Sequence, residues 1–204
     1  YVRLDSWDPH RPYPGQRGGG IPTQVTYRDM AALMRSEIPS RQTADFQANL
    51  FLTPEKGAGK PSSERVRLCF SDFFAMFEVP FRFGGAWDRK ADEGPEAVVV
   101  LTDEMNDRLF GGADSVGRSV RLGGKDFRVV GVTDRWRPNV RVYDLTQQVI
   151  NLPEPFFIPF GHFRPMQIQT SGNSDGWGPS SGGGIEGLLR SEQASIQLWV
   201  ELPD

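Results

Sequence analysis

One cysteine and two histidines in 204 residues leave little for metal or thiol chemistry. A single thiol excludes an internal disulfide and a thiolate cluster, and His10 and His162 stand too far apart to form a ligand pair by spacing. Both histidines are expected on the unstructured surface. Hydrophobic runs are short as well: the longest, 97–101 and 156–160, are strand-sized and fall far below the ~18 residues a membrane helix needs. As given, the polypeptide reads as soluble. Without an initiator methionine or a secretory signal it also reads as an excised segment. Charge of one sign is scarce, with 23 Lys and Arg against 26 Asp and Glu, a net of −3 that argues against general nucleic-acid affinity.

What is plentiful is turn chemistry: 23 glycines and 16 prolines predict many loops and little long helix. A chain of this length buries about 70% of its unfolded surface, so it needs no staples. Residues 1–7 alternate as a half-buried strand and then break into a Pro- and Gly-rich loop. Thr26 and Asp29 have capping-box spacing ahead of a helix near 27–37 that Pro39 stops. Alternation over 46–52 and 66–70 predicts an antiparallel pair of strands, and Ser71 is placed to cap a short helix rich in phenylalanine. Residues 96–101 form a near-continuous apolar run, typical of a strand buried on both faces. Thr102 then caps a helix ending at Phe110, with Gly111-Gly112 beyond it. Val116, Val120 and Leu122, then Gly123-Gly124, then Phe127, Val129 and Val132 give a two-residue hairpin. Further strands are expected at 156–160 and 195–202, with a Gly/Ser/Pro-rich loop at 171–184 and a short helix near 185–190.

No constellation of catalytic residues emerges. The acids Asp88, Asp92, Glu93 and Glu96 lack the spacing and central glycine of a calcium loop. Gly111, Gly112 and Gly117 follow a helix instead of opening one, so they read as turns and not as a phosphate loop. Nucleophile elbows, zinc-protease helices and P-loop lysines are all missing. Cys69, between Leu68 and Phe70, reads as a buried inert thiol, although its parity places it with Arg65 and Arg67. Among the tryptophans, Trp7 and Trp199 are expected in the core, while Trp87, Trp136 and Trp177 lie where partial exposure is plausible. Trp177 is the candidate for a partner contact.

Four blocks then stand out together. They are Ser-Asp-Phe-Phe-Ala-Met-Phe-Glu-Val-Pro-Phe at 71–81, Glu-Ala-Val-Val-Val-Leu-Thr at 96–102, Arg-Leu-Phe-Gly-Gly at 108–112, and Ser-Val-Gly-Arg-Ser-Val-Arg-Leu-Gly-Gly-Lys-Asp-Phe-Arg-Val-Val-Gly-Val at 115–132. In order and interval they resemble the periplasmic core domain of MacB-like ABC transporter permeases (MacB/FtsX-type), and the last block is the most specific. One departure is Gly85, where that family usually carries an arginine after Phe83-Gly84, so no role of that arginine transfers.

The resemblance implies an α+β fold with a porter-like α+β lobe, residues 1–68 and 152–204, into which a mostly β Sabre-like lobe, residues 69–151, is inserted. It implies a non-enzymatic domain on the periplasmic side of the bacterial inner membrane, part of an integral permease, that relays ATP-driven motion of the membrane helices during export. Its expected partners are an ABC ATPase subunit or domain acting through those helices, a second permease copy or paralogue, and a periplasmic adaptor or membrane-fusion protein. No cofactor, metal or nucleic acid is expected. Two rivals stand beside it: a stand-alone extracellular module binding a carbohydrate or protein ligand, suggested by the loop tryptophans, and a hydrolase with two dispersed carboxylates converging in a cleft.

Overall fold

Thr26 caps the first helix: its side-chain oxygen accepts from the Asp29 amide, and its hydroxyl donates to the Asp29 carboxylate at 2.7 Å. The computed structural model describes residues 23–36, 38–54, 60–94, 96–138, 142–145, 154–172, 174–176 and 182–203. The predicted strand at 1–7, with Trp7, lies outside them.

The elements run β1 (Val25–Thr26), α1 (Tyr27–Leu33), β2 (Arg41–Thr53), β3 (Ser62–Cys69), α2 (Asp72–Met76), β4 (Phe81–Gly84), α3 (Arg89–Glu93), β5 (Val98–Leu101), α4 (Asp103–Phe110), β6 (Ser119–Leu122), β7 (Lys125–Thr133), β8 (Phe156–Pro159), β9 (Asp175–Gly176), α5 (Gly184–Arg190) and β10 (Gln193–Glu201). The fold is α+β, as expected. The 46–52 and 66–70 pair is antiparallel, with Phe46 opposite Leu68 and Ala48 opposite Val66. Gly123-Gly124 turns β6 into β7, both glycines at positive φ, but Val116 lies ahead of the strand and is 42% exposed. Thr102 caps α4 through the Met105 amide, and Gly111 closes it in the left-handed conformation. Ser71 differs: it precedes α2 without a side-chain cap and donates its hydroxyl to Asp92 instead.

Sheet order is β1-β10-β2-β3-β8-β5-β7-β4, and β6 pairs with both β2 and β7. The strands β2, β3, β8, β5, β7 and β6 therefore close a circuit. Inside it pack Leu52, Val66, Leu68, Val99, Leu101, Leu122, Phe127, Phe156 and Ile158, all but shut off from solvent. Because side chains alternate along a strand, the next residues point outward. There Cys69, Val98, Val100 and Phe157 build a second core under Phe73, Phe74, Trp87 and Tyr143. Strands β3, β5 and β8 are thus buried on both faces, which is why 97–101 is apolar throughout.

The outer face accounts for Cys69. Parity does put it with Arg67, but the face they share is covered, and Cys69 is wholly buried. Burial pushes its thiol well above the ordinary value, and the nearby carboxylates Asp45 and Asp92 push it further. A maleimide reagent should label it in denaturant within minutes and orders of magnitude more slowly in native buffer. Rapid native labelling would show that the covering layer opens.

Candidate functional site

Arg67 sits in the middle of β3 with none of its side chain in contact with solvent. On that outer face its guanidinium meets three carboxylates, each equally hidden. The Glu154 carboxylate accepts from Nε at 3.0 Å and from Nη2 at 2.9 Å, a two-pronged pairing. Asp144 accepts from Nη2 at 2.5 Å, and Asp45, one strand over on β2, accepts from Nη1. The Tyr143 ring stands 4.9 Å from the guanidinium carbon. Gln197 of β10 finishes the set: its amide donates to Asp144 at 3.2 Å, and its carbonyl accepts the Leu145 backbone N–H at 2.7 Å.

Burial alone would drive the guanidinium toward neutrality, but the carboxylates outweigh it and hold Arg67 charged well above its ordinary value. The opposite holds for Asp45, whose carboxyl burial pushes up to about 7 against the opposing pull of Arg67. Carboxylates do converge, as a hydrolase requires, but they converge on a guanidinium in a closed interior. No substrate reaches them. Alternation along β3 marks Arg67 only as the odd charge between Val66 and Leu68, and nothing local pairs it with Asp144 or Glu154.

The outer layer also takes up groups expected elsewhere. Trp87 is 5% exposed and not partly open, because its indole N–H donates to Asp92 at 2.9 Å while its ring packs edge-on against Phe74. Asp92 accepts in addition the Ser71 backbone N–H and hydroxyl, and burial shifts it above the usual carboxylate value. Asp88 caps α3, so that acidic stretch is occupied structurally. Trp136 stacks on Tyr143 at 5.0 Å. Trp199 is half-buried against Phe77. His162, expected on the surface, is buried: one ring nitrogen lies 2.9 Å from the Glu96 carbonyl and the other 3.4 Å from the Lys125 amine, and desolvation keeps its pKa low. Trp177 and His10 lie outside the described residues.

Among the described residues two surface clefts stand out. One of about 710 Å³ lies between the start of β2 and helices α2 and α3, lined by Arg35, Gln42, Asp72, Arg89 and Asp92. A groove of about 300 Å³ runs along β6 past Leu109, Phe110, Arg118 and Val120. In the larger one Ser71 donates its hydroxyl to Asp92 at 2.6 Å, but that carboxylate is already engaged by the Ser71 backbone N–H and the Trp87 indole N–H, which makes it a structural anchor. No group of three or more His, Cys, Asp or Glu suited to a metal occurs among the described residues, and no helix among them is long and apolar enough to cross a membrane.

The closed circuit of strands and its covering layer are those of an extracytoplasmic domain of an ABC-type transporter permease. The chain belongs to the MacB-like periplasmic core domain family, whose model matches residues 8–198. Solved structures of similar shape include the periplasmic region of MacB from Actinobacillus actinomycetemcomitans (15% identity, TM-score 0.57, covering 94% of this chain and 73% of that one). The extracellular domain of the noncanonic ABC-type transporter YknZ from Gram-positive bacteria aligns at 12% identity and TM-score 0.54, over 90% of this chain and 75% of that one. A domain of a putative permease protein from Porphyromonas gingivalis does so at 16% and 0.53, over 89% and 70%. A search of curated proteins returns no significant match.

Proposed function

We propose that this domain is a non-enzymatic mechanical relay, carrying ATP-driven motion of membrane helices to a periplasmic partner or substrate during export. The observation that supports it most is the closed circuit. Residues 1–68 and 152–204 supply β2, β3 and β8, and residues 69–151 supply β5, β6 and β7, so the porter-like and Sabre-like parts of the chain share one hydrogen-bonded ring. Packed cores resist deformation, and a displacement applied to β2 or β10 moves the whole body. In this reading the ATPase acts from the cytoplasmic side through the membrane helices. A second permease copy or paralogue, and an adaptor or membrane-fusion protein, are the surfaces it moves against. The domain works without a bound cofactor or metal. The ligand-binding module loses support at Trp87, which is buried in the core, while Trp136 is partly exposed and stacks on Tyr143.

A relay fails when its coupling is slack. In the whole permease, about ten Gly/Ser residues inserted after Glu201 form a flexible coil that transmits no push. ATP hydrolysis should persist while export falls to background. Export at the wild-type rate would refute the relay, and turnover of any substrate by the purified domain would refute its non-enzymatic character.

A further inference from the structure

We propose that Asp45 is a proton-operated latch: protonated, it leaves Arg67 free to clasp residues 142–145 against the sheet, and deprotonated, it competes for Arg67 and loosens their hold. This goes beyond the relay reading and does not rest on it.

The division of donors carries the idea. Glu154 takes two N–H groups of the guanidinium and Asp144 shares Nη2, whereas Asp45 meets only Nη1 through Oδ1. Its other oxygen, Oδ2, is buried with no hydrogen-bond partner. An ionised carboxylate with one bare oxygen in a dry interior is costly, so of the three acids Asp45 is the one whose charge is least supported. Of the groups packed around it, Arg67 alone favours its charge. On β3 it faces Arg67 and, directly across the ladder, Cys69; on β10 the opposite residue is the uncharged Gln197; Asp144 beside Tyr143 and Glu154 ahead of β8 supply like charge. Burial is the largest influence raising its pKa, Arg67 opposes it, and the two acids add to it, for a value of about 7.

The sign follows from linkage. A carboxyl whose folded value lies above the unfolded 3.8 binds its proton more tightly when folded. Its contribution is therefore complete below about pH 4 and is lost as pH rises through about 7. Ionisation brings a third negative charge to one guanidinium. The partner that yields is Asp144, because Asp45 sits within β2 and Glu154 leads straight into β8, while 142–145 belongs to no strand or helix.

The Leu145 amide, donated to Gln197, reports the latch directly. Its hydrogen exchange is measured by NMR on the 204-residue chain from pH 5.5 to 8.5 and corrected for the intrinsic rate. Protection should fall as pH rises toward about 7, by up to about tenfold per pH unit, the slope of one coupled proton, and level off above it. In Asp45→Asn, of the same shape but without a proton to lose, protection should be flat. A flat wild-type profile, or the same fall in the variant, would overturn the latch. Should D45N fail to fold, the Asp45 carboxyl carbon of the wild type is followed by its ¹³C shift. A midpoint near 7 supports the proposal, and one in the ordinary carboxylate range overturns it.

Discussion

Arg67→Met is expected to cost the domain about 3–5 kcal/mol, the range for removing one partner from a buried ion cluster. The methionine fills much of the same space, so a cavity is not the main cause. What remains is three carboxylates, Asp45, Asp144 and Glu154, that have lost their shared cation in an interior closed to water. Against a typical total stability of about 5–15 kcal/mol, that is a large fraction. In a chain of this size each kcal/mol moves the melting temperature by about 2–4 °C, so thermal unfolding should shift down by roughly 10 °C. A companion variant with Arg67, Asp45, Asp144 and Glu154 all replaced by apolar residues of similar volume should recover most of the loss, because the penalty comes from stranded charge and not from a missing bond. A melting curve for R67M within a degree or two of wild type would mean that water reaches the cluster.

Phe157→Ala is expected to cost about as much, 3–5 kcal/mol, for a different reason. Phe157 lies on β8 opposite Arg67 on one side and Val100 on the other, where the strands from the two parts of the chain meet. Its ring packs tilted or edge-on against Phe73, Phe74 and Trp136 and is fully buried. Truncation removes that contact area and leaves a void beneath Phe73 and Phe74 of α2. The control is Phe51→Ala. Phe51 is 67% exposed, and its loss should change stability by no more than about 0.5 kcal/mol. Equal effects from the two substitutions, read by urea unfolding, would contradict the two-core arrangement.

Much of the architecture is legible in the chain because its signals are local. The Thr26 and Thr102 caps, the Gly111 helix end and the Gly123-Gly124 hairpin are decided by backbone chemistry within a few residues, and all occur as read. The 71–132 blocks likewise suffice to identify the family. Some local readings miss, those of Ser71 and His162 among them. Ser71 has the right identity to cap α2, but Asp92, 21 residues on, takes its hydroxyl. His162 follows a glycine in a turn-like stretch, yet the Glu96 carbonyl, 66 residues away in sequence, draws it inside.

The alternation of β2 and β3, the apolar run of β5 and the caps of α1 and α4 were determined by the sequence itself, since period and turn chemistry act over a few residues, whereas α3 lies where no helix is predicted. Tertiary structure alone decided the closed strand circuit, the covering of the outer face, and the fate of the charges there. Arg67 reaches Asp45, Asp144 and Glu154 across separations of 22, 77 and 87 residues. An arginine between two apolar residues of a strand looks solvent-facing by parity. Only the layer of Phe73, Trp87 and Tyr143 folded over it makes that face an interior, where a charge must find its partners or cost the fold its stability.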